Sequence, residues 1–355
     1  MPDMTYNTPV GYSFLETRFS GVSRRIARLP IGDFPTSLEH LGDANSGLWV
    51  KRDDETHTVY GGNKVRKLEY LLGDALARGC DSVVTFGGVG SNHALATALH
   101  SRSAGLDCSC MLMQQRRTDF IESTLQRHQT NETTLCRSAS SRTQRIAQMR
   151  DLRDKKAGGL SVVPMGGTSP LGSIGYVNAA FELAGQWRGA ELPERIYLPA
   201  GTMGTAAGLA VGFDLLGWPT QIIATRVVSP SQCNDAAMAT LCTKISRRLH
   251  QADNRIPYRC TIGPRVTIRT EYLGEDYAHA TDASKAAVQH SAEHWGLPLE
   301  TTYTGKAMAC LLEDLAAAPA DRKPWIFWHT YNGRPAGKHA KLSGDYRDFL
   351  SLGKG

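Results

Sequence analysis

From Lys64 onward, amphipathic segments with helical periodicity alternate with short apolar segments along the sequence. The first helical face is marked by Leu68, Leu71 and Leu72. We predict strands at 82–86, 108–113, 160–164, 195–198, 221–228, 266–273 and 325–329. We predict further helices at 92–104, 143–155, 204–216, 235–249, 282–295 and 306–315. Because strands that alternate with helices favour parallel sheets, the sequence predicts an α/β fold with helices flanking its sheets.

The length of 355 residues, with 41% hydrophobic and 21% charged residues, is enough for about two domains, each with its own core. The eight cysteines form no Cys-x-x-Cys pair, and a chain of this size needs no disulfides, so we expect reduced thiols. The first seven residues lack the basic start and apolar stretch of a signal peptide, and no apolar run approaches about 18 residues. We therefore expect a cytoplasmic protein with no membrane partner.

The chain carries a mild excess of positive charge. Lysine and arginine number 40 against 34 acidic residues, which gives a net charge of +6, and the charged residues are scattered rather than collected into runs. Scattered positive charge suits small anionic ligands better than a nucleic-acid groove. We expect no nucleic-acid partner.

The segment at 60–69, Tyr-Gly-Gly-Asn-Lys-Val-Arg-Lys-Leu-Glu, brings Lys64 to the first turn of an amphipathic helix. Desolvation near a helix N-terminus disfavours the ammonium form of a lysine, and an uncharged amine can condense with an aldehyde to a Schiff base. The alternative is a surface lysine beside a turn, which is the usual case for an isolated lysine. The neighbouring motifs favour the reactive amine.

The segment at 86–93, Phe-Gly-Gly-Val-Gly-Ser-Asn-His, follows a predicted strand and begins a predicted helix. Ser91 and Asn92 fit the N-cap of that helix, and helix capping alone would explain them. Ser91, Asn92 and His93 together also offer hydrogen-bond donors for an anionic oxygen and a proton carrier at a helix N-terminus. Both interpretations stay open on this segment alone.

The segment at 197–208, Tyr-Leu-Pro-Ala-Gly-Thr-Met-Gly-Thr-Ala-Ala-Gly, lies between a predicted strand and a predicted helix. Gly201, Thr202, Gly204 and Thr205 can place amides and hydroxyls around a phosphate, which the helix dipole also favours. The segment has neither the Gly-Lys-Ser/Thr of a Walker loop nor the glycine spacing of a dinucleotide site. A glycine-rich turn that packs a helix closely on its strand is the alternative.

Together these segments resemble the pyridoxal-phosphate enzymes of the D-cysteine desulfhydrase and 1-aminocyclopropane-1-carboxylate deaminase family. The matching motifs follow the family's order from about residue 51 to residue 330. Besides the three segments above, they are Lys-Arg-Asp-Asp at 51–54, Pro-Met-Gly-Gly-Thr-Ser-Pro-Leu-Gly at 164–172, Tyr-Leu-Gly-Glu-Asp-Tyr at 272–277, Tyr-Thr-Gly-Lys-Ala at 303–307 and His-Thr at 329–330.

The resemblance implies a two-domain enzyme of fold type II, similar to the tryptophan synthase β subunit. Pyridoxal 5'-phosphate is then expected in the cleft between a large domain at 1–64 and 175–355 and a small α/β domain at 65–174. The family likeness also suggests a homodimer that acts on a small amino acid.

The resemblance further implies which residues hold the cofactor. Lys64 resembles the lysine that forms the Schiff base, Asn92 the partner of the ring hydroxyl, and Thr330 the hydroxyl beside the ring nitrogen. The loop that resembles the phosphate site comprises Gly201, Thr202, Met203, Gly204 and Thr205.

The resemblance also implies catalytic roles beside Lys64. Ser91 and His93 are expected to contact the substrate carboxylate or to carry protons. Tyr277 and Tyr303 resemble the two family tyrosines that face the substrate. We expect no metal site.

Two positions distinguish the branches of this family. Deaminases that open the cyclopropane ring have Gln after Ser-Asn and Glu after the second tyrosine, whereas this chain has His93 and Thr304, as in the desulfhydrase branch. A neutral hydroxyl near the ring nitrogen, in place of a carboxylate, makes the cofactor a weaker electron sink. The chain departs from the family at Met203, and at Tyr331 and Arg334 after His-Thr, and these departures concern the substrate.

We therefore expect a lyase that eliminates the β-substituent of D-cysteine or a β-substituted D-alanine, giving pyruvate, ammonia and a leaving group such as sulfide. Lys64 or a tyrosine would remove the Cα proton, and Tyr277 or Tyr303 would protonate the leaving thiolate. One alternative is opening of the 1-aminocyclopropane-1-carboxylate ring to 2-oxobutanoate and ammonia. Another is a related enzyme of specialised metabolism with a different amino-acid substrate.

Two other hypotheses compete with an enzyme of this family. His-Ser-Ala-Glu-His at 290–294 matches the zinc pentamer of inverted zinc proteases, but the α/β pattern gives it no matching context, and we interpret it as a polar helix. A non-catalytic module that only binds pyridoxal phosphate or an amino acid would have no use for two tyrosines and a histidine beside Lys64. We favour the enzyme.

Overall fold

The computed structural model describes residues 13–43, 46–260, 265–319, 321–334 and 341–354. The first seven residues, on which the expectation about a signal peptide depends, lie outside the described residues. No helix within the described ranges is both long enough and apolar enough to span a membrane.

Twelve helices and twelve strands are formed by the described residues. The helices, α1 to α12, are Phe14–Arg18, Ser20–Arg25, Lys64–Ala77, Asn92–Ser103, Phe120–Thr130, Arg142–Asp154, Ile174–Gln186, Gly204–Leu216, Asp235–Ala252, Asp282–Trp295, Thr304–Ala316 and Gly344–Asp348. The strands, β1 to β12, are Leu38–His40, Leu48–Lys51, Ser82–Gly88, Asp107–Met113, Gln115–Arg116, Thr134–Arg137, Leu160–Val163, Arg195–Ala200, Gln221–Arg226, Val266–Arg269, Trp325–Trp328 and Gly353–Lys354.

The larger sheet has six strands in the order β1, β2, β11, β8, β9, β10. Only β1 is antiparallel to its neighbour; the other four pairings are parallel. Successive side chains of a strand point to opposite faces, so this sheet separates two cores. Ile196 and Leu198 of β8 pack with α7, α8 and α9, whereas Tyr197 packs with α10 and α11 on the other face.

The smaller sheet has four parallel strands in the order β6, β4, β3, β7, all formed between residues 82 and 163. One apolar cluster joins this sheet to α3 and α4. A second cluster joins Cys110 and Leu112 of β4 to α4, α5 and the C-terminal residues Leu342 and Phe349. The two-residue strand β5 pairs only with β12, near the end of the chain.

A buried network of charges anchors α3 to the larger sheet. Arg66 donates to Asp53 at 2.7 Å and to Glu182 at 2.8 Å, and Lys51 Nζ lies 2.5 Å from Glu182 Oε1. Both Tyr176 and Trp328 also donate to Asp53, at 2.7 Å. Since Arg66 lies two residues after Lys64, this network fixes the start of α3 in the fold.

The predicted α/β fold with parallel sheets flanked by helices is confirmed. Two predicted strands are shorter than expected, because β9 ends at Arg226 and β10 ends at Arg269. Helix α7 was not predicted, because Ile174 to Leu183 are buried on every side and therefore show no apolar stripe. Strands β1 and β2 were also missed, because their three and four residues are too few for an alternation to stand out.

Candidate functional site

A cavity of about 430 Å³ lies between the two sheets, where β3, β8 and β11 end. The ends of parallel strands are where open α/β sheets bind ligands. Every residue assigned to the site from the sequence lines this cavity. They are Lys64, Ser91, Asn92, His93, Gly201, Thr202, Met203, Gly204, Thr205, Tyr277, Tyr303 and Thr330.

Lys64 is the first residue of α3 and reaches the cavity. Its Nζ donates to Asn63 Oδ1 at 2.7 Å, and Asn63 Nδ2 donates to Thr205 Oγ1 at 3.1 Å. Desolvation lowers the pKa of the Lys64 amine to about 8. At pH 7 about a tenth of this amine is therefore uncharged, far more than for a lysine of ordinary pKa, and the uncharged form is the one that acts as a nucleophile or a base.

The glycines before Lys64 allow the backbone to turn into α3. A Cβ at Gly61 would lie 2.2 Å from the carbonyl oxygen of Asp54. Gly62 has φ +91° and packs against the backbone of residues 330–332. Any other residue type would be strained at this φ. The close packing of Gly62 against residues 330–332, which follow β11, helps to fix the position of Lys64.

Lys67 lies one helical turn after Lys64 and is 2% exposed. Its Nζ donates to the carbonyl oxygen of Gly166 at 3.1 Å. A Cβ added at Gly204 would lie 3.0 Å from this Nζ, so the amine is close to the start of α8. Burial and the nearby Lys64 lower its pKa well below the ordinary value. Lys67 forms no ion pair with any described carboxylate. A buried amine without a protein counterion fits an anionic ligand at this position, because the ligand's charge would favour the protonated form of Lys67.

The loop before α8 completes this anion site. Thr202 Oγ1 lies 2.7 Å from Thr168 Oγ1. A Cβ added at Gly201 would make ordinary van der Waals contacts, the nearest at 3.7 Å, so packing does not require glycine there. Met203 is the N-cap of α8 and has φ +64°, which is rare for a residue with a side chain. Backbone strain of this kind clusters at ligand sites, and Met203, Gly204 and Thr205 at the α8 N-terminus line the cavity.

Asn92 and Ser91 begin α4 at the cavity. Ser91 Oγ accepts from the backbone N–H of Ala94 at 3.3 Å, so Ser91 caps the helix as predicted from its type. Asn92 Oδ1 accepts from the Tyr60 hydroxyl at 3.1 Å, which leaves the Asn92 Nδ2 amide without an acceptor among the described residues. Asn92 can therefore donate to a ligand oxygen.

His93 is buried beside the cavity. Its Nε2 lies 2.9 Å from Thr85 Oγ1 and accepts from the backbone N–H of Gly167 at 3.3 Å. Burial, together with Lys64 and Lys67, lowers the pKa of His93 well below its ordinary value. The ring is therefore neutral at neutral pH, with its proton on Nδ1.

Tyr277 and Tyr303 form a pair at the cavity, with hydroxyl oxygens 2.5 Å apart. Burial raises the pKa of both phenols, so both hold their protons at neutral pH. The pair can donate a proton to a group in the cavity.

The carboxyl group of Glu300 also lines the cavity, and no role was assigned to it from the sequence. Glu300 accepts from the backbone N–H groups of Thr302, Tyr303 and Thr304, at 2.7 to 2.9 Å, and thereby fixes the start of α11. Burial raises the pKa of Glu300. Thr304 is fully buried and donates to Glu300 instead of reaching the cavity.

Several residues of the site had no role assigned from the sequence. Lys67 lies three residues after Lys64, so helical spacing could have placed both on one face. Tyr60 and Asn63 lie within the same motif, but their partners at Asn92 and Thr205 become visible only in the fold. Gln115 belongs to no motif, and its contribution depends wholly on tertiary contacts.

Tyr331, Arg334 and the histidine motif at 290–294 are the remaining features that the sequence analysis singled out. Tyr331 lines the cavity, and Arg334 instead approaches the carbonyl oxygen of His57 at 3.4 Å. His290 and His294 stack on α10 with ring centroids 4.2 Å apart. The described residues contain no group of three or more His, Cys, Asp or Glu side chains that could hold a metal ion.

Comparison with known proteins assigns most of the chain to one family. The model of a family described as pyridoxal-phosphate dependent enzyme matches residues 23–330. The chain is also 30% identical over 328 residues to a D-cysteine desulfhydrase of Klebsiella pneumoniae (strain 342), covering 90% of this chain and 96% of that protein.

Solved structures show the same similarity. An ACC deaminase homologue superposes with a TM-score of 0.74 and 26% identity, covering 94% of this chain and 98% of the other. A threonine deaminase from T.th. has a similar fold, with a TM-score of 0.57 and 17% identity over 91% of this chain and 98% of the other.

Proposed function

Because the chain belongs to the family of pyridoxal-phosphate dependent enzymes, we propose that it eliminates the β-substituent of a small amino acid, with D-cysteine or a β-substituted D-alanine as substrate. Membership of the family confirms the resemblance, the enzyme class and the cofactor that the motifs predict. The observation that carries the proposal is one cavity that combines a lysine amine of lowered pKa with two protonated phenols 2.5 Å apart.

The cavity fits the cofactor. Lys67 supplies a buried amine, which the phosphate would hold in its protonated form, and Thr202 and Thr205 supply hydroxyls beside the α8 N-terminus. Asn92 has a free amide for the ring oxygen, and we assign Thr330 to the ring nitrogen. When bound, pyridoxal phosphate withdraws electrons from the substrate α-carbon.

The chain's own groups then divide the proton transfers. The Lys64 amine has a pKa lowered to about 8 and is therefore mostly uncharged above that pH. The uncharged amine accepts the proton from the α-carbon. Tyr277 and Tyr303 donate a proton to the departing β-group, because burial keeps both phenols protonated. Ser91, at the N-terminus of α4, binds the substrate carboxylate, and neutral His93 holds the adjoining wall in place through Thr85 and Gly167.

Opening of the 1-aminocyclopropane-1-carboxylate ring is the second candidate. It is favoured by the similarity to the ACC deaminase homologue and by the carboxyl group of Glu300 at the cavity. It is disfavoured by His93 and Thr304, which resemble the desulfhydrase branch.

We also propose the finer features that the family likeness suggests: a homodimer in the cytoplasm, with a small domain at 65–174. The four-stranded sheet and α4 to α6 all lie within that range, which supports the boundary.

A substrate panel tests the function. The purified holoenzyme is given D- and L-cysteine, β-chloro-alanine enantiomers and the cyclopropane acid, with 2-oxo acid and ammonia as readouts. We expect pyruvate and ammonia from the D-amino acids. Turnover of the cyclopropane acid alone would assign ring opening instead, and no turnover of any compound would contradict the proposed lyase.

A further inference from the structure

The glycines of the turn before α4 are packed under a side chain from another strand. A Cβ at Gly88 would lie 2.1 Å from Gln115 Oε1, and a Cβ at Gly90 would lie 2.9 Å from Gln115 Nε2. Gln115 Oε1 also accepts from the backbone N–H of Gly90 at 3.1 Å. The carboxamide of Gln115 therefore lies directly on the Gly88–Gly90 turn, in space that a Cβ at Gly88 would occupy.

The backbone of Gln115 is held independently of this contact. Its strand, β5, pairs in parallel with β12, with Gln115 opposite Gly353. The next residue, Arg116, contacts Glu275 at 3.0 Å and Asp276 at 3.2 Å across the cavity mouth. Gln115 is thus a fixed point against which the turn can be held.

The turn leads without interruption into Ser91, Asn92 and His93 at the start of α4. Gln115, Ser91 and Asn92 all line the cavity. A shift of the Gly90 amide would move the Ser91 hydroxyl and the first amides of α4, which are the groups that receive a carboxylate. The Gln115 Nε2 amide donates to no described residue, so the side chain has no other fixed partner in the fold.

We propose that Gln115 is a positioning residue that holds the Gly88–Gly90 turn, so that the N-terminus of α4 binds the carboxylate of the amino-acid substrate. This inference rests on the proposed function only in that the enzyme binds an amino acid in this cavity. It assigns to Gln115 an effect on affinity for the carboxylate, and no part in proton transfer.

Loss of one hydrogen bond between uncharged groups corresponds to a change of about 2- to 12-fold in an equilibrium constant. The substitution Gln115→Met keeps the length of the side chain and removes the acceptor. The substitution Gly88→Ala leaves Gln115 unchanged but places a Cβ where Oε1 lies, so the carboxamide must move. Both variants are expected to lose the same contact by different routes.

The test compares ligands with and without the carboxylate. Dissociation constants of the holoenzyme are measured from the visible spectrum with D- and L-alanine, which have no leaving group, and with the two alaninamides. We expect Gln115→Met and Gly88→Ala to raise the dissociation constant of the alanine enantiomer that wild type binds by about 2- to 12-fold. The dissociation constant of the matching alaninamide should change less than about 2-fold. The cofactor spectrum without ligand is expected to stay as in wild type.

Gln148→Met is the matched control. Gln148 Oε1 also accepts from a backbone N–H, that of Ala139 at 3.0 Å, but Gln148 does not line the cavity. We expect this variant to bind both ligands as wild type does.

Equal weakening of alanine and alaninamide, or no change of either, would overturn the role of Gln115, as would a wild-type enzyme that binds neither enantiomer. Since alanine cannot undergo elimination, these outcomes are separate from the substrate panel. An enzyme that shows the selective loss but eliminates no β-substituent would retain the role of Gln115 and contradict the proposed function.

Discussion

Lys64 shows how one residue's chemistry depends on its surroundings. Its amine is the same as that of any exposed lysine, but burial between the two sheets lowers its pKa to about 8. Asn63 and Gly62 fix its position, and the buried amine of Lys67 lies one helical turn away. The reactive amine is therefore a product of desolvation and of the turn that precedes α3.

Replacing Lys64 tests its role directly. We expect Lys64→Ala to lose the visible absorption that arises from covalently held cofactor and to lower turnover by at least about 100-fold, because the amine is also the proposed base. Absorption spectra and steady-state rates of the purified variant measure both effects. Lys285→Ala, at an exposed lysine of α10, serves as control. Turnover of Lys64→Ala at the wild-type rate would reject the assignment.

The lowered pKa predicts a pH dependence. Only the uncharged amine reacts with an aldehyde, so capture of pyridoxal phosphate by the apoenzyme should accelerate as the pH rises and level off above about 8. A free lysine side chain should level off only near its ordinary value of 10.5. Stopped-flow absorbance between neutral and alkaline pH measures the midpoint. A midpoint like that of the free amine would show that the site does not desolvate Lys64.

Lys67 is expected to bind the phosphate and not the ring. Lys67→Met should raise the dissociation constant of pyridoxal phosphate by about 12- to 150-fold, which corresponds to the loss of a hydrogen bond to a charged group. The dissociation constant of pyridoxal, which lacks the phosphate, should rise far less. Equilibrium titration of the apoenzyme with each vitamer measures the difference, and an equal loss for both would place Lys67 elsewhere in the site.

The resemblance of the motifs to a known family was enough to predict which groups line the cavity, although the motif at 303–307 follows a helix and does not lie at the end of a strand. Contacts between motifs were beyond prediction. Tyr60 meets Asn92, and Gln115 meets Gly90, only because separate strands end at the same edge. The sequence also did not predict that Glu300 lines the cavity while Thr304 is buried against it, because this too depends on tertiary contacts.

At the scale of elements, α3 owes its position to charges that are wholly buried. Arg66 and Lys51 share Glu182, and Asp53 accepts from Arg66, Tyr176 and Trp328. The network links α3, α7, β2 and β11, which lie far apart in sequence. The amphipathic pattern predicts α3 itself, but it does not predict this anchor, because charged residues in a helix are ordinarily assigned to its exposed face.

Breaking this network should be costly. We expect Glu182→Gln to lower the free energy of unfolding by about 3–5 kcal/mol at neutral pH, because two buried cations lose a carboxylate. Urea unfolding monitored by circular dichroism measures the change. Asp151→Asn, which breaks an exposed pair with Lys155, should cost less than about 1 kcal/mol.

The same variant should show a characteristic acid dependence. Arg66 and Lys51 lower the pKa of Glu182 to about 2 in the folded protein, from an ordinary value of 4.5. Glu182 therefore stabilises the fold fully above about pH 4.5, and this contribution is lost as the pH falls toward 2. The stability difference between wild type and Glu182→Gln should shrink over that interval; a constant difference would contradict the lowered pKa.

At the scale of the whole molecule, ion pairs at the cavity link the two-stranded sheet of β5 and β12 to the segment that follows β10. Arg116 of β5 contacts Glu275 and Asp276, and Asp276 directly precedes Tyr277. Periodicity predicts the sheets, but not their strand orders, in which β11 from the end of the chain lies between β2 and β8. Such orders arise from long-range packing and leave no local pattern in the sequence.

The ion pair across the mouth should affect substrate binding in a salt-dependent manner. We expect Arg116→Ala to raise the KM for the amino acid by about two- to fivefold at low salt, since exposed ion pairs contribute little. The difference should disappear at high salt, where screening already weakens the wild-type pair. Arg102→Ala removes the exposed pair with Glu132, which does not border the cavity, and should leave KM unchanged. A salt-independent effect of Arg116→Ala would exclude an electrostatic origin.

The pairing of Gly353–Lys354 with β5 has a practical consequence for anyone who makes this protein. An affinity tag attached to β12 would begin beside the strand that carries Gln115. Variants should therefore be compared only after the tag has been cleaved, so that the pairing of β12 with β5 is the same in each.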